Sequence, residues 1–135
     1  MNALRELYKR LKCKYGSPKG QWTLWCKRPK SKREREEVLI GAILTQRTNW
    51  KNVELALGNL KKAKADSLED IVRLGTRRLA PLIRPSGFYL TKANYLFGLA
   101  RFIIENYGSL EKMQGSDLCQ LRGELLKQKG VGPET

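Results

Sequence analysis

Leu125-Leu126-Lys127-Gln128-Lys129-Gly130-Val131-Gly132-Pro133-Glu134-Thr135 is the stretch on which the fold of this chain turns. The residues before it, Leu118, Leu121, Leu125 and Leu126, keep helical spacing and predict an amphipathic helix. That helix runs into two glycines, and Pro133 follows them, a residue suited to the first position of a new helix because its φ is already near the helical value. The local prediction is therefore helix, tight turn, helix start. Glycines allow a backbone to approach a ligand closely, and the free N–H groups at a helix start point at an anion. For a bare Gly-x-Gly, a frayed glycine-rich tail is usually the better reading. The balance is tipped by charge: 27 Lys+Arg against 13 Asp+Glu leave +14 on 135 residues. Such an excess attracts polyanions, although charge alone supplies only sequence-independent attraction to phosphate. A lysine-rich surface that merely keeps the chain soluble is the plainer alternative.

Helical spacing dominates the rest of the chain. Leu4, Leu7, Tyr8 and Leu11 place one apolar stripe on a helix that stops near Gly16. Residues 16–33, with Pro18, Gly20, Pro29, many lysines, Trp22 and Trp25, read as an irregular basic arm. From Glu34 to Gln46 a central helix is expected, acidic at its start and then apolar on nearly every side. Asn49 caps the next, which carries Trp50, Val53, Ala56, Leu57 and Leu60. Ser67 and Asp70 form a variant capping box for a short helix ended by Gly75. A further short helix, 76–83, contains Pro81, which should sit in its first turn or kink it, and Pro85-Ser86-Gly87 is a turn. A long helix from Thr91 to Asn106 should bury Leu96, Leu99, Phe102 and Ile103, and Ser116 is the expected cap of the last. No stretch alternates with period two, so the fold class is all-α. The expected organisation is a single domain over 1–135: an N-terminal helix and tryptophan arm (1–33), a helical bundle (34–128), and the turn with the start of a second helix (129–135).

Several function classes drop out. Cys13, Cys26 and Cys119 are too scattered for a CxxC pair, and there is no histidine. Metal catalysis and His-based acid–base chemistry therefore lack their side chains, and no cofactor is called for. The longest apolar run, Val38 to Leu44, is far below the roughly 20 residues of a membrane-spanning helix. Charged residues interrupt any signal-peptide core at the N-terminus, so a cytoplasmic, nucleoid-associated protein is expected, with double-stranded DNA as partner.

The stretch from Leu125 to Thr135 resembles the first helix, hairpin and opening of the second helix of the helix-hairpin-helix motif in endonuclease III-like (HhH-GPD) DNA glycosylases. Upstream, Leu39-Ile40-Gly41-Ala42-Ile43-Leu44-Thr45-Gln46-Arg47-Thr48 is similar to the helix and turn from which that family inserts a residue into the duplex. Arg84-Pro85-Ser86-Gly87-Phe88-Tyr89, followed by Lys92-Ala93, adds a third motif in family order and resembles the monofunctional 3-methyladenine DNA glycosylase branch. The resemblance runs from about Tyr15 to the last residue.

The resemblance implies a base-excision enzyme that flips a damaged, alkylated purine out of the helix and removes it hydrolytically. It assigns Gln46 to fill the vacated gap, and Lys129, Gly130, Val131 and Gly132 to grip the DNA backbone. Trp50 is implied as one aromatic wall of the base pocket, with Trp22 or Trp25 opposite; a tryptophan at helical spacing is as often core. An aromatic face suits a cationic purine. Bifunctional members place a nucleophilic lysine where this sequence has Glu134, so strand cleavage is not expected. The branch's catalytic aspartate has no counterpart up to Thr135, so the expectation is a partial endonuclease III-like domain, inactive alone, whose remainder could be a complementary C-terminal chain. The rival readings are a non-enzymatic helix-hairpin-helix DNA-binding module and a basic RNA-binding protein.

Overall fold

The computed structural model describes residues 2–135, and every regular element among them is helical. The long helices carry the expected punctuation. Asn2 caps α1 (Ala3–Tyr15), and its side chain accepts from the Leu4 N–H. Ser31 opens α3 (Lys32–Leu44) with a full reciprocal capping box to Glu34, which starts this helix before the predicted Glu34 and lets it end at Leu44 rather than Gln46. Asn49 caps α4 (Trp50–Lys62), and Ser67 caps α5 (Leu68–Leu74) while its hydroxyl donates to Asp70.

Where the structure departs from the spacing, the local chemistry explains why. The basic arm is not irregular throughout: Gln21–Trp25 forms a short α2 carrying both tryptophans. Pro81 lies in the last turn of α6 (Thr76–Leu82) rather than the first; it leaves the Arg77 carbonyl without its i+4 N–H donor, and the helix stops one residue later. A 3-10 turn, Arg84–Ser86, leads through Gly87 and the left-handed Phe88 into α7 (Tyr89–Tyr107). A one-turn α8 (Leu110–Met113) was not legible in the spacing. Asp117 rather than Ser116 caps α9 (Leu118–Leu126), because a carboxylate accepts strongly from the Gln120 N–H.

One core joins α3 to α7. Ile40, Ile43, Leu44, Val53, Leu60, Ile71, Leu79, Ile83, Leu96 and Ile103 are all essentially closed to solvent. Each such side chain contributes about 1.5–3 kcal/mol of burial. α7 packs mainly on α5 and α6, while α4 leans on the 3-10 turn. Phe102, expected in the core, is half-buried at its edge.

The periphery differs. The stripe on α1 forms as predicted but stays largely exposed: Leu4 is 71% exposed and Leu11 47%, and Tyr8, Leu11 and Tyr15 line an open groove with Trp22. Neither α1 nor α9 has a buried residue. Val38, Leu39 and Ala42 of α3 line an open apolar trough with Leu110, Met113 and Leu121.

Candidate nucleic-acid interface

Thr45, Gln46, Arg47 and Thr48 turn the chain from α3 into α4. The Thr45 hydroxyl donates to the Gly41 carbonyl at 2.6 Å, and Arg47 holds a left-handed φ of +54°. From this turn Gln46 reaches across 84 residues of sequence: its Nε2 donates to the Gly130 carbonyl at 2.7 Å and lies 3.3 Å from the Thr135 hydroxyl. The two motifs at opposite ends of the chain thus meet in one place. They border a cleft of about 270 Å³ shared with Phe88, Lys92 and Tyr95.

The two glycines of the C-terminal turn do different things. Gly130 has φ +85°, and a Cβ there would stand 2.3 Å from the Tyr95 ring, so both backbone and space require glycine. A Cβ added at Gly132 would meet nothing within 4 Å, so that side of its backbone is open to a ligand. Val131 packs its side chain against the core, and its N–H bonds to the Gln128 carbonyl. The Thr135 N–H bonds to the Gly132 carbonyl, and the Gly132 N–H bonds back to the Thr135 hydroxyl, the start of a helical turn. Among the described residues, the N–H groups of Lys129 and Gly130 have no hydrogen-bond partner. Lys127 and Lys129 are exposed in the same stretch of chain.

Sequence reasoning missed two residues at this edge. Phe88 is a 63% exposed aromatic held at φ +46°, bordering the cleft with Gln46. Lys92 is 2% exposed, and its ammonium donates to the Leu44 and Ser86 carbonyls. A signal for Lys92 was available: it shares the helical stripe of Leu96, Leu99 and Ile103, where an unpaired lysine does not belong.

The tryptophans stand apart from this cleft. Trp50 lies against Gly41 on α3, whose lack of a Cβ leaves ring atoms only 3.4 Å from where one would be. Trp25 meets Trp50 edge to face at 5.8 Å, and Trp22 meets Trp25 likewise at 5.9 Å. These are not parallel walls with a base-sized gap between them. Trp50 donates its Nε1 to Glu54 at 3.0 Å, and it borders a second cleft with Gln21, Leu24 and Glu37. The Trp25 Nε1 is enclosed with no partner. Lys27 donates to Glu34 at 2.7 Å and ties the tryptophan arm to α3; that bond, with the Ser31 N–H, holds the Glu34 carboxyl down at about 2. Glu134 is exposed. Among the described residues no cluster of His, Cys, Asp and Glu could hold a metal ion, the three cysteines are free and exposed, and no helix is long and apolar enough to cross a membrane.

The family model for HhH-GPD superfamily base excision DNA repair proteins matches residues 40–132, from the middle of α3 through the second glycine. The chain belongs to that superfamily. The match takes in Gln46, the 84–88 turn and the hairpin, the three segments that the geometry brings together. Among relatives, a Methanocaldococcus jannaschii protein assigned as a DNA repair glycosylase is 50% identical over 105 residues, covering 75% of this chain and 47% of that protein. Endonuclease III of Thermotoga maritima is 32% identical over 109 residues, covering 79% of this chain and 47% of its own length. The crystal structure of the Helicobacter pylori 3-methyladenine DNA glycosylase MagIII, bound to 1,N6-ethenoadenine, superimposes with a TM-score of 0.72 at 32% identity. It covers 96% of this chain and 58% of that one. The chain thus spans about half the length of the curated relatives it matches.

Proposed function

We propose that this chain is the DNA-gripping part of a base-excision glycosylase that removes an alkylated purine by base flipping and hydrolysis. The observation that carries the proposal is the bond from Gln46 to Gly130. It joins the side chain suited to fill a vacated base position to the turn whose unpartnered N–H groups suit a phosphate. An amide carries both donor and acceptor for an orphaned base, and Phe88 beside it offers a face for stacking.

The tryptophan corner is the proposed base site, with Trp50 as the fixed wall and Trp25 or Trp22 as the movable one. In the resting arrangement Trp25 closes on Trp50, so a base enters only if Trp25 turns aside. Its orphaned indole N–H makes the closed arrangement less than fully satisfied, which favours that motion. Glu54 beside Trp50 supplies a carboxylate to which a cationic alkylated purine responds, while Glu37 in the same cleft is paired with Lys61 at 3.1 Å.

Glu134 in place of a nucleophilic lysine supports hydrolysis without strand cleavage. These 135 residues alone should bind duplex and release no base, with the carboxylate of the chemical step supplied by further polypeptide, joined or separate. Its place of action is the cytoplasm, at the nucleoid.

Binding to a fluorescent duplex across a salt series tests the proposal. Affinity should fall with log salt at a slope of about −0.9 for each phosphate neutralised. Preference for RNA over duplex DNA would favour a basic RNA-binding protein. Base release from alkylated DNA, assayed with and without a complementing C-terminal polypeptide, separates a glycosylase part from a module that only binds.

A further inference from the structure

Lys92 places an ammonium group where one persists only with partners, at 2% exposure inside α7. Its partners are not carboxylates. Nζ donates to the Leu44 carbonyl at 2.8 Å and the Ser86 carbonyl at 2.7 Å, and burial holds its pKa below the ordinary lysine value. Leu44 is the last residue of α3 and Ser86 the last of the 3-10 turn. Both carbonyls therefore belong to helix ends, where no following N–H reaches back to them. A cation suits such ends, because helix dipoles leave them negative.

Two of the three non-glycine residues with left-handed backbone among the described residues lie two or three positions beyond the tethered carbonyls, the third being Lys64. Arg47 follows Leu44 at φ +54°, and Phe88 follows Ser86 at φ +46°. Left-handed backbone at non-glycine residues persists only where the surroundings impose it. A single lysine reaches both turns, and both border the same cleft.

We propose that Lys92 is a positioning residue that fastens the Gln46–Arg47 turn to the Phe88 turn, so that Gln46 and Phe88 meet DNA as one rigid pair. This rests on the DNA-reading role proposed above. A rigid pair matters most where it must enter a gap in the base stack, and least for general attraction to phosphates, which the scattered lysines and arginines supply.

Equilibrium binding of the full chain to two duplexes, one intact and one with a single abasic-site analogue, tests this. The wild type should prefer the abasic duplex. Lys92→Met, similar in length but without donors, should lose most of that preference, about tenfold, while its affinity for the intact duplex stays within about twofold. Lys92→Gln, which keeps N–H donors, should recover part of it. A merely structural lysine would instead weaken both duplexes in parallel with a falling melting temperature, and that result, or an unchanged preference in Lys92→Met, overturns the proposal. A wild type without preference overturns the DNA-reading role itself. If Lys92→Met fails to fold, Lys92→Gln carries the same comparison; if neither folds, the lysine holds the core and the proposal is wrong.

Discussion

Gln46 and Trp50 lie on either side of one short turn, yet they sit in opposite circumstances. Gln46 stands on an edge that is already assembled, fixed by hydrogen bonds from the far end of the chain and bordered by backbone donors with no partner. Trp50 stands in a corner that is shut, its ring met edge to face by Trp25 and its N–H held by Glu54. The difference separates two costs of recognition. A preformed polar edge binds DNA without reordering, whereas a closed aromatic corner must open before it accepts a base. Backbone gripping should therefore survive changes that abolish base capture, and the reverse should not hold.

Gly130→Ala strikes the edge hardest. The added methyl meets the Tyr95 ring at 2.3 Å on a φ of +85°. The combined strain and overpacking should cost about 2–4 kcal/mol, lower the melting temperature and remove duplex binding. Gly132→Ala separates gripping from folding. With nothing within 4 Å of its Cβ, the melting temperature should not move, while duplex affinity should fall about tenfold as a methyl stands between backbone and phosphate. Equal loss of stability in the two variants would erase the distinction between the glycines.

Gln46→Ala removes the bond to Gly130 and should cost about 1 kcal/mol in denaturant unfolding, with affinity for intact duplex nearly unchanged. The smallest effect is expected on the corner's side, at Glu34, which ties the tryptophan arm to α3 through Lys27. Its carboxyl is held at about 2 rather than 4.5, chiefly by the Lys27 hydrogen bond. A depressed acid contributes stability that is fully present above 4.5 and lost as pH falls toward about 2. A carboxyl-carbon NMR titration should place the Glu34 midpoint near the lower value; a midpoint near 4.5 would mean that the arm is not tied down.

Much of this was legible in the sequence, and the exceptions share a cause. Spacing and caps located α3, α4, α5 and α7, because each buries one face in a common core. The same spacing suggested packing for α1, whose stripe stays largely exposed over an open groove. Periodicity reports what a helix can bury, and not what is there to cover it. Residues 21–25 looked irregular because glycine, proline and lysine surround two tryptophans that in fact close a helical turn against Trp50.

At the candidate site, Gln46 and the paired glycines were visible through their motifs, but the division of labour between the glycines was not. It depends on Tyr95, which is distant in sequence and was not singled out. Phe88 was quoted in a motif but given no role, because its exposure is a property of a left-handed turn rather than of composition. Lys92 was quoted only as part of a motif, although a lysine in register with buried leucines already signalled an unusual tether.

On this reading the Gln46 turn and the glycine hairpin form one surface that contacts DNA. Titrating an isotope-labelled chain with a short duplex and following the backbone amides by NMR tests it most directly. The amides of Gln46, Arg47 and Lys129 through Gly132 should shift together at one affinity. Shifts confined to the basic residues of α1 and the arm, with the hairpin amides unmoved, would contradict it.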